Sequence, residues 1–277
     1  MDRFQLVLLH QPSYGERSKE VRDYFGKLLA LRIQGYFHEH GHRYIPVDIY
    51  DHFASHLLLL CNGEAVACAR IVDHDACVQH ELAFPPVTLL SQSGSPSAVA
   101  AVQQFVQQYG QQGGVGYDSA FTLCPAIRQQ RLAATVVKVM HGLWMLYHQH
   151  SQPRRFVVSA TLRLKTERLF SKLGCAPVCS DSYFQLHSIN SELAMMMLFS
   201  RPSALAQEWM AHYQTLWDAR IELGTPFSRV AIVPPAGLPC ASHSLALYGC
   251  PPAAVEPSTT VGHRPPSDHR QGSLPCS

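Results

Sequence analysis

The sequence predicts an α/β fold, a mixed and mostly antiparallel sheet of about six or seven strands flanked by helices. Three observations carry that expectation. The apolar runs His56 to Cys61 and Ala65 to Val72 flank Asn62-Gly63-Glu64, and an Asn-Gly pair between such runs is the strongest short-range hairpin signal. Upstream, Val21, Tyr24, Phe25, Leu28, Leu29 and Tyr36 recur at helical spacing. Downstream, short apolar runs alternate with longer helical ones. With 277 residues, of which 47% are hydrophobic, the chain can bury a substantial core as one large domain or two small ones.

In chain order, Phe4 to His10 reads as a strand and Pro12 to Gly15 as a turn. The amphipathic helix runs from Glu16 to about Glu39, and Arg32, four residues after Leu28, lies on its inward face, where it must find an anion. Gly41 and Pro46 stop this helix, and a loop holding Asp48 and Asp51 leads into the hairpin. Ser91 to Ser97 is loop-like in its Ser, Gln, Gly and Pro content. Ser97 to Tyr109 suggests a helix, Gly116 to Cys124 a strand ended by Pro125, and Arg131 to His148 a long apolar helix. Phe156 to Ala160 is a short β-branched strand. Leu162 to Leu173 is a helix closed by Gly174, Pro177 to Leu186 a further strand, and Ser203 to Ile221 a helix capped by its serine. These elements divide the chain into a domain over 1–200, a helical appendage over 201–232 and a tail over 233–277. Nine of the nineteen prolines fall in that tail, which lacks apolar periodicity and is expected to be disordered.

Charge and cysteine content narrow the function classes. Twenty-two basic against twenty acidic residues leave a net charge of +2, far from the excess of a nucleic-acid binder. No apolar stretch approaches the roughly 20 residues of a membrane span. The amino terminus lacks a basic leader and a small-residue cleavage site, so the expected location is the cytoplasm. Nine cysteines, an odd number without a Cys-x-x-Cys pair, suit small buried side chains in a reducing compartment.

The element order is strand, helix, hairpin, helix, strand, helix, strand, helix, strand. Together with Leu123-Cys124-Pro125-Ala126-Ile127-Arg128-Gln129-Gln130-Arg131-Leu132-Ala133, it resembles the GCN5-related N-acetyltransferase (GNAT) superfamily. There the turn after the fourth strand binds the pyrophosphate of an acyl donor, with a pattern of Gln or Arg, two residues, Gly, one residue, then Gly or Ala. Arg128 and Ala133 match, and Arg131 stands at the first glycine. The resemblance implies acyl-CoA or acyl carrier protein as donor, with Arg128, Arg131 and Ala133 at its phosphates. It also places an amide near Leu123 on the oxyanion. The stretch Thr166 to Cys175 resembles the superfamily's late helix, with Phe170 where many members carry a tyrosine as general acid. Arg32, Phe37, Asp48, Asp51, His56 and Arg70 look like the autoinducer synthases and long-chain N-acyl amino acid synthases. In that branch the two arginines and two acids form a polar network at the acceptor site. Its fourth-strand Glu-x-Ser-Arg is matched here only by Ser119 in Tyr117-Asp118-Ser119-Ala120. The resemblance spans about Glu16 to Tyr183.

The expected function is therefore N-acyl transfer from a thioester to a small amine such as an amino acid, with no metal. Two alternatives stay open: an inactive GNAT-like binding module, and a zinc hydrolase using His38-Glu39-x-x-His42. Arg32, Asp48, Asp51 and Arg70 fit either a grip on an amine or carboxylate or a buried ion network that orders the helix on the hairpin. His74-Asp75 and His80-Glu81 around Cys77 read as a solvated loop, Cys124 as a core residue rather than a nucleophile, and Met195-Met196-Met197 as packing rather than an acyl pocket.

Overall fold

The computed structural model describes residues 3–12, 18–41, 47–112, 114–128, 130–151 and 153–227. Most of the turn expected before residue 16, Pro46 and the tail 233–277 lie outside the described residues. Strand β1 (Phe4–His10) leads to helix α1 (Lys19–His40). Ser18 caps α1 by accepting from the Val21 amide, and Gly41 ends it in the left-handed region at φ 66°. A short 3-10 helix (Ile49–His52) precedes the hairpin β2 (Ser55–Cys61) and β3 (Glu64–Asp73). Then come α2 (His74–Gln79), α3 (Pro85–Ser93), α4 (Pro96–Tyr109) and β4 (Val115–Leu123). The one-turn α5 (Pro125–Arg128) and the long α6 (Leu132–His150) follow, then β5 (Arg155–Thr161) and α7 (Thr166–Leu173). The chain continues through β6 (Cys175–Pro177), β7 (Tyr183–Leu186), β8 (Glu192–Phe199), α8 (Ala204–Asp218) and β9 (Ile221–Gly224).

These strands form one mixed, mostly antiparallel sheet of nine, ordered β6-β8-β5-β4-β3-β2-β1-β9, with β7 also on β8. Among the described residues only β4 with β5 and β1 with β9 run parallel. Every residue of β2 is buried because the sheet is covered on both faces, which explains its unbroken apolar run. One face carries α1 through Phe25, Leu28 and Leu31, and the other carries α6 and α8 through Leu143, Trp144 and Trp217. A third cluster packs α3 and α4, with Leu90, Val102 and Phe105, against Tyr117, Val157 and Met196.

Several elements differ from the sequence expectation. Ser91 to Ser97 is mostly helical: Pro85 and Pro86 open α3, Pro96 opens α4, and Ser95 Oγ accepts from the Ala98 amide at 3.2 Å. The break between the two helices is only Gly94-Ser95. The segment expected as a solvated loop around Cys77 is α2, capped by Asp73, with Cys77 buried. Pro177 to Leu186 divides into β6 and β7, and β8 has no counterpart in the sequence expectation. Leu162 to Lys165 are turns, so α7 starts only at Thr166. Residues 201–232, expected as a helical appendage, supply α8 against α6 and the parallel edge strand β9.

The sheet also makes an opening. Parallel pairing of β4 with β5 ends at Asp118↔Val158. Beyond it β4 continues on β3 as far as Leu123, while β5 continues on β8 to Thr161. An irregularity between Cys68 and Arg70, opposite Ala120 at φ 52°, marks where β4 turns away. The two strands diverge like a wedge.

Candidate active site

A cleft of about 680 Å³ fills the wedge. Its walls are β4 from Tyr117 to Leu123, the β5 residues Val158, Ser159 and Thr161, the carboxyl end of α1, and side chains of α6 and α7. Past Asp118 the β4 edge has no ladder partner on the β5 side among the described residues, so its peptide groups face the cleft.

On the α1 side a chain of charges runs from the core to the cleft. Arg32 and Asp51 are fully buried, and Arg32 Nη1 donates to Asp51 Oδ1 at 2.5 Å. Arg32 Nη2 donates to His56 Nδ1 at 3.0 Å, so His56 carries its proton on Nε2, which donates to the Asp51 carbonyl at 3.0 Å. Arg70 Nη1 reaches Asp51 Oδ1 at 3.1 Å and Asp48 Oδ1 at 2.6 Å, and its Nε donates to Ser119 Oγ at 3.2 Å. Asp48 and Asp51 also cap the 3-10 helix reciprocally, each carboxylate accepting a backbone N–H. Burial favours the neutral Asp51 acid, but the charges of Arg70 and Arg32 outweigh it and hold the carboxyl well below the usual range. Burial, with the Arg32 charge, lowers His56 to about 3.

Of this network Asp48, Arg70 and Ser119 line the cleft, whereas Arg32 and Asp51 stand behind them and position Arg70. Tyr36 and Tyr50 complete that wall; burial pushes both phenols up to about 12. Tyr117 and Ser159 meet across the mouth of the wedge at 2.9 Å. Below them Asp118 is buried against His148, whose Nε2 lies 2.8 and 3.1 Å from its two oxygens. His148 Nδ1 donates to the Pro153 carbonyl at 2.6 Å, so a single proton lies between Nε2 and the carboxyl. Burial, opposed by His148, raises Asp118 to about 6.

No family model and no curated protein matches the chain. Solved structures do match. The CoA-dependent acyl-homoserine lactone synthase BjaI, determined with SAM and isopentyl-CoA, is 11% identical at a TM-score of 0.50, covering 82% of this chain and 96% of that one. FeeM, an N-acyl amino acid synthase from uncultured soil microbes, is 12% identical at a TM-score of 0.48, covering 76% and 93%. An acyl-CoA N-acyltransferase from Pseudomonas aeruginosa is 16% identical at a TM-score of 0.45, covering 72% and 100%. The chain has the GNAT fold.

Within that GNAT fold the expected donor turn is arranged differently from the sequence reading. Leu123 and Arg128 both line the cleft, but the Arg128 guanidinium is tied back onto the protein. Its Nη1 donates to Glu39 at 2.6 Å, its Nη2 to Thr122 Oγ1 at 3.1 Å, and its Nε to the Leu123 carbonyl at 3.2 Å. Arg131 is exposed just before α6, and the Ala133 amide is spent on the Gln130 carbonyl at 3.1 Å. The two arginines therefore do not converge on one anion. Phe37 is 50% exposed and does not line the cleft.

The zinc-protease pattern is equally dispersed. Glu39 is held by Arg128 and, at 3.2 Å, by Arg163, His38 is exposed, and His42 lies outside the described residues. Among the described residues no cluster of three or more His, Cys, Asp or Glu side chains could hold a metal. Met196 and Met197 are buried in β8 and do not line the cleft.

Sequence reasoning passed over Tyr36, His141, Trp144, His148 and Ser159. For His141 and His148 a signal existed, because a titratable side chain repeating with Val137 and Trp144 on the apolar face of a helix needs a reason to be there.

Proposed function

We propose that the chain is an N-acyltransferase that moves an acyl group from a thioester, acyl-CoA or acyl carrier protein, to the amine of a small molecule such as an amino acid. The observation that carries this reading is the open wedge between β4 and β5 beside the Arg70, Asp48 and Ser119 cluster. An extended thioester arm can lie along the unpaired β4 edge, bonding peptide groups as an added strand would. Arg70 would then grip an acceptor carboxylate, while Asp48 orients its amine. A β4 amide near Leu123 would stabilise the oxyanion, and the Asp48 carboxylate, the one of the pair that lines the cleft, would take the ammonium proton. BjaI, whose fold is shared and which is a CoA-dependent acyl-homoserine lactone synthase, lends the reading its donor class.

A second reading has its own observation. Arg128 is occupied by Glu39 and Phe170 has no ionisable hydroxyl, which suits a module that binds a donor without turning it over. Thiol release from acyl-CoA and from acyl carrier protein, assayed with the common amino acids beside calorimetry with CoA, separates the two. Release supports the transferase; binding without release supports the module. Neither binding nor release with any donor would remove both.

A further inference from the structure

Phe170 stands where the resemblance implies a tyrosine hydroxyl in many members of the superfamily, and a phenyl ring has no acidic proton to give. The His141 ring lies 5.5 Å from the Phe170 ring, edge to face, and both line the cleft. His141 Nδ1 is 2.7 Å from the Val137 carbonyl. A carbonyl only accepts, so Nδ1 bears the hydrogen and Nε2 bears a lone pair. Nε2 has no hydrogen-bond partner among the described residues.

The surroundings suit a base rather than a core histidine whose polar atoms are both satisfied. Phe121 packs on the imidazole at 5.0 Å and Trp144 at 5.7 Å, which keeps bulk water from the ring. Burial, against the bond to Val137, lowers the imidazole to about 4, so it is neutral near pH 7. Trp144, one turn further along α6, has a buried Nε1–H without a partner among the described residues and also lines the cleft. An apolar pocket thus holds one unused acceptor and one unused donor. Strand β4 connects them to the charged wall: Phe121 follows Ser119, which accepts from Arg70, by two residues across the kink at Ala120.

We propose that His141 is the proton-transfer residue of this cleft, its Nε2 accepting the proton that the attacking amine loses and delivering it to the departing thiolate. The proposal rests on the acyl-transfer reading. In the step the amine nitrogen pair forms the C–N bond, and the C–S bond breaks with its pair on sulfur. One N–H proton moves to Nε2 and then to sulfur, so amide and thiol leave and the imidazole returns neutral. A weakly basic imidazole suits the acidic ammonium of the tetrahedral adduct, and negative charge growing on sulfur strengthens its hold on the proton.

The test uses the full chain, saturated acyl-CoA donors from acetyl to palmitoyl, and the twenty common amino acids, read as thiol release. His141→Gln keeps size and an acceptor oxygen but cannot relay a proton; we expect kcat to fall about a hundredfold with KM within about threefold. His141→Ala should regain activity with added imidazole, a rescue that does not require the glutamine variant to fold. Long-range proton–nitrogen NMR should show the neutral Nδ1–H tautomer, with the Nε2 signal moving when a non-hydrolysable acyl-CoA thioether is added. Wild-type turnover with His141→Gln at an unchanged kcat, or His141→Ala with no imidazole rescue, overturns this assignment and leaves the transferase reading intact. Absence of wild-type thiol release with every pair overturns that reading itself, and this proposal with it.

Discussion

Asp48 and Asp51 sit three residues apart and touch the same arginine, yet their environments divide their roles. Asp51 is fully buried between Arg32 and Arg70, whereas the Asp48 side chain is 45% exposed at the cleft. Breaking a buried pair leaves an uncompensated charge, so Asp51→Asn should cost about 3 to 5 kcal/mol of stability, read by urea denaturation. Exposed pairs are screened, and Asp48→Asn should cost no more than about 1 kcal/mol. On the proposed acyl-transfer reading its effect belongs to turnover: losing one charge-assisted contact to the acceptor, about 1.5 to 3 kcal/mol, should lower kcat/KM tenfold or more. Equal destabilisation by both changes, with turnover intact in Asp48→Asn, would make the network purely structural.

Helix α1 carries the charged wall and is seated by a close approach to β4. A methyl group on Gly35 would lie 2.2 Å from Thr122 Oγ1 and 3.2 Å from the Leu123 carbonyl, and the Gly35 carbonyl accepts from Arg128 at 3.4 Å. Thr122 Oγ1 also accepts from Arg128, so it cannot rotate away without losing that bond. Gly35→Ala should therefore destabilise by about 1 to 3 kcal/mol through overpacking, seen as a lower urea midpoint. Gly26 on the same helix is exposed, and a methyl group added there would meet nothing within 4 Å. There the only effect is helix propensity, and Gly26→Ala should stabilise by roughly 0.5 to 1 kcal/mol. A matching gain at both positions would show that α1 does not rest on β4 through Gly35.

Stability of the whole molecule should fall on mild acidification. His10, His56 and His141 are buried with lowered values, the last two to about 3 and about 4, while an unfolded histidine titrates near 6.5. Below pH 6.5 the unfolded chain takes up protons that the folded chain refuses, so stability present above pH 6.5 is lost as pH drops. Asp118, raised to about 6, works in the opposite direction between pH 6 and its unfolded value near 4, one group against three. His141→Phe isolates a single contribution: the slope of unfolding free energy between pH 6.5 and 5 should flatten by about 1.4 kcal/mol per pH unit. An unchanged slope in urea melts would mean that His141 is protonated in the folded state.

Local patterning sufficed for β1, α1, the β2–β3 hairpin and α6, because helical spacing, an Asn-Gly turn and a terminal glycine act within a few residues. It also placed Arg32 on the inward face, where Asp51 and His56 meet it. Elements defined by remote partners were not legible. The Met-rich β8 lacks β-branched residues and is a strand because β5, β6 and β7 pair with it, and the four-residue β9 exists only beside β1, more than two hundred residues earlier. The same division runs through the site. Helical spacing put Arg32 on the inward face, whereas Asp48, Asp51, Arg70 and Ser119 were singled out by the family resemblance, and the structure joins all five in one network. Arg128 was aimed at an anion until the fold brought Glu39 to it from 89 residues away, and His141 acquired meaning only when α7 and β4 closed around it. A side chain's type and spacing fix what it can do, but its partner and its access to a cleft depend on which distant strands pair and where that pairing stops.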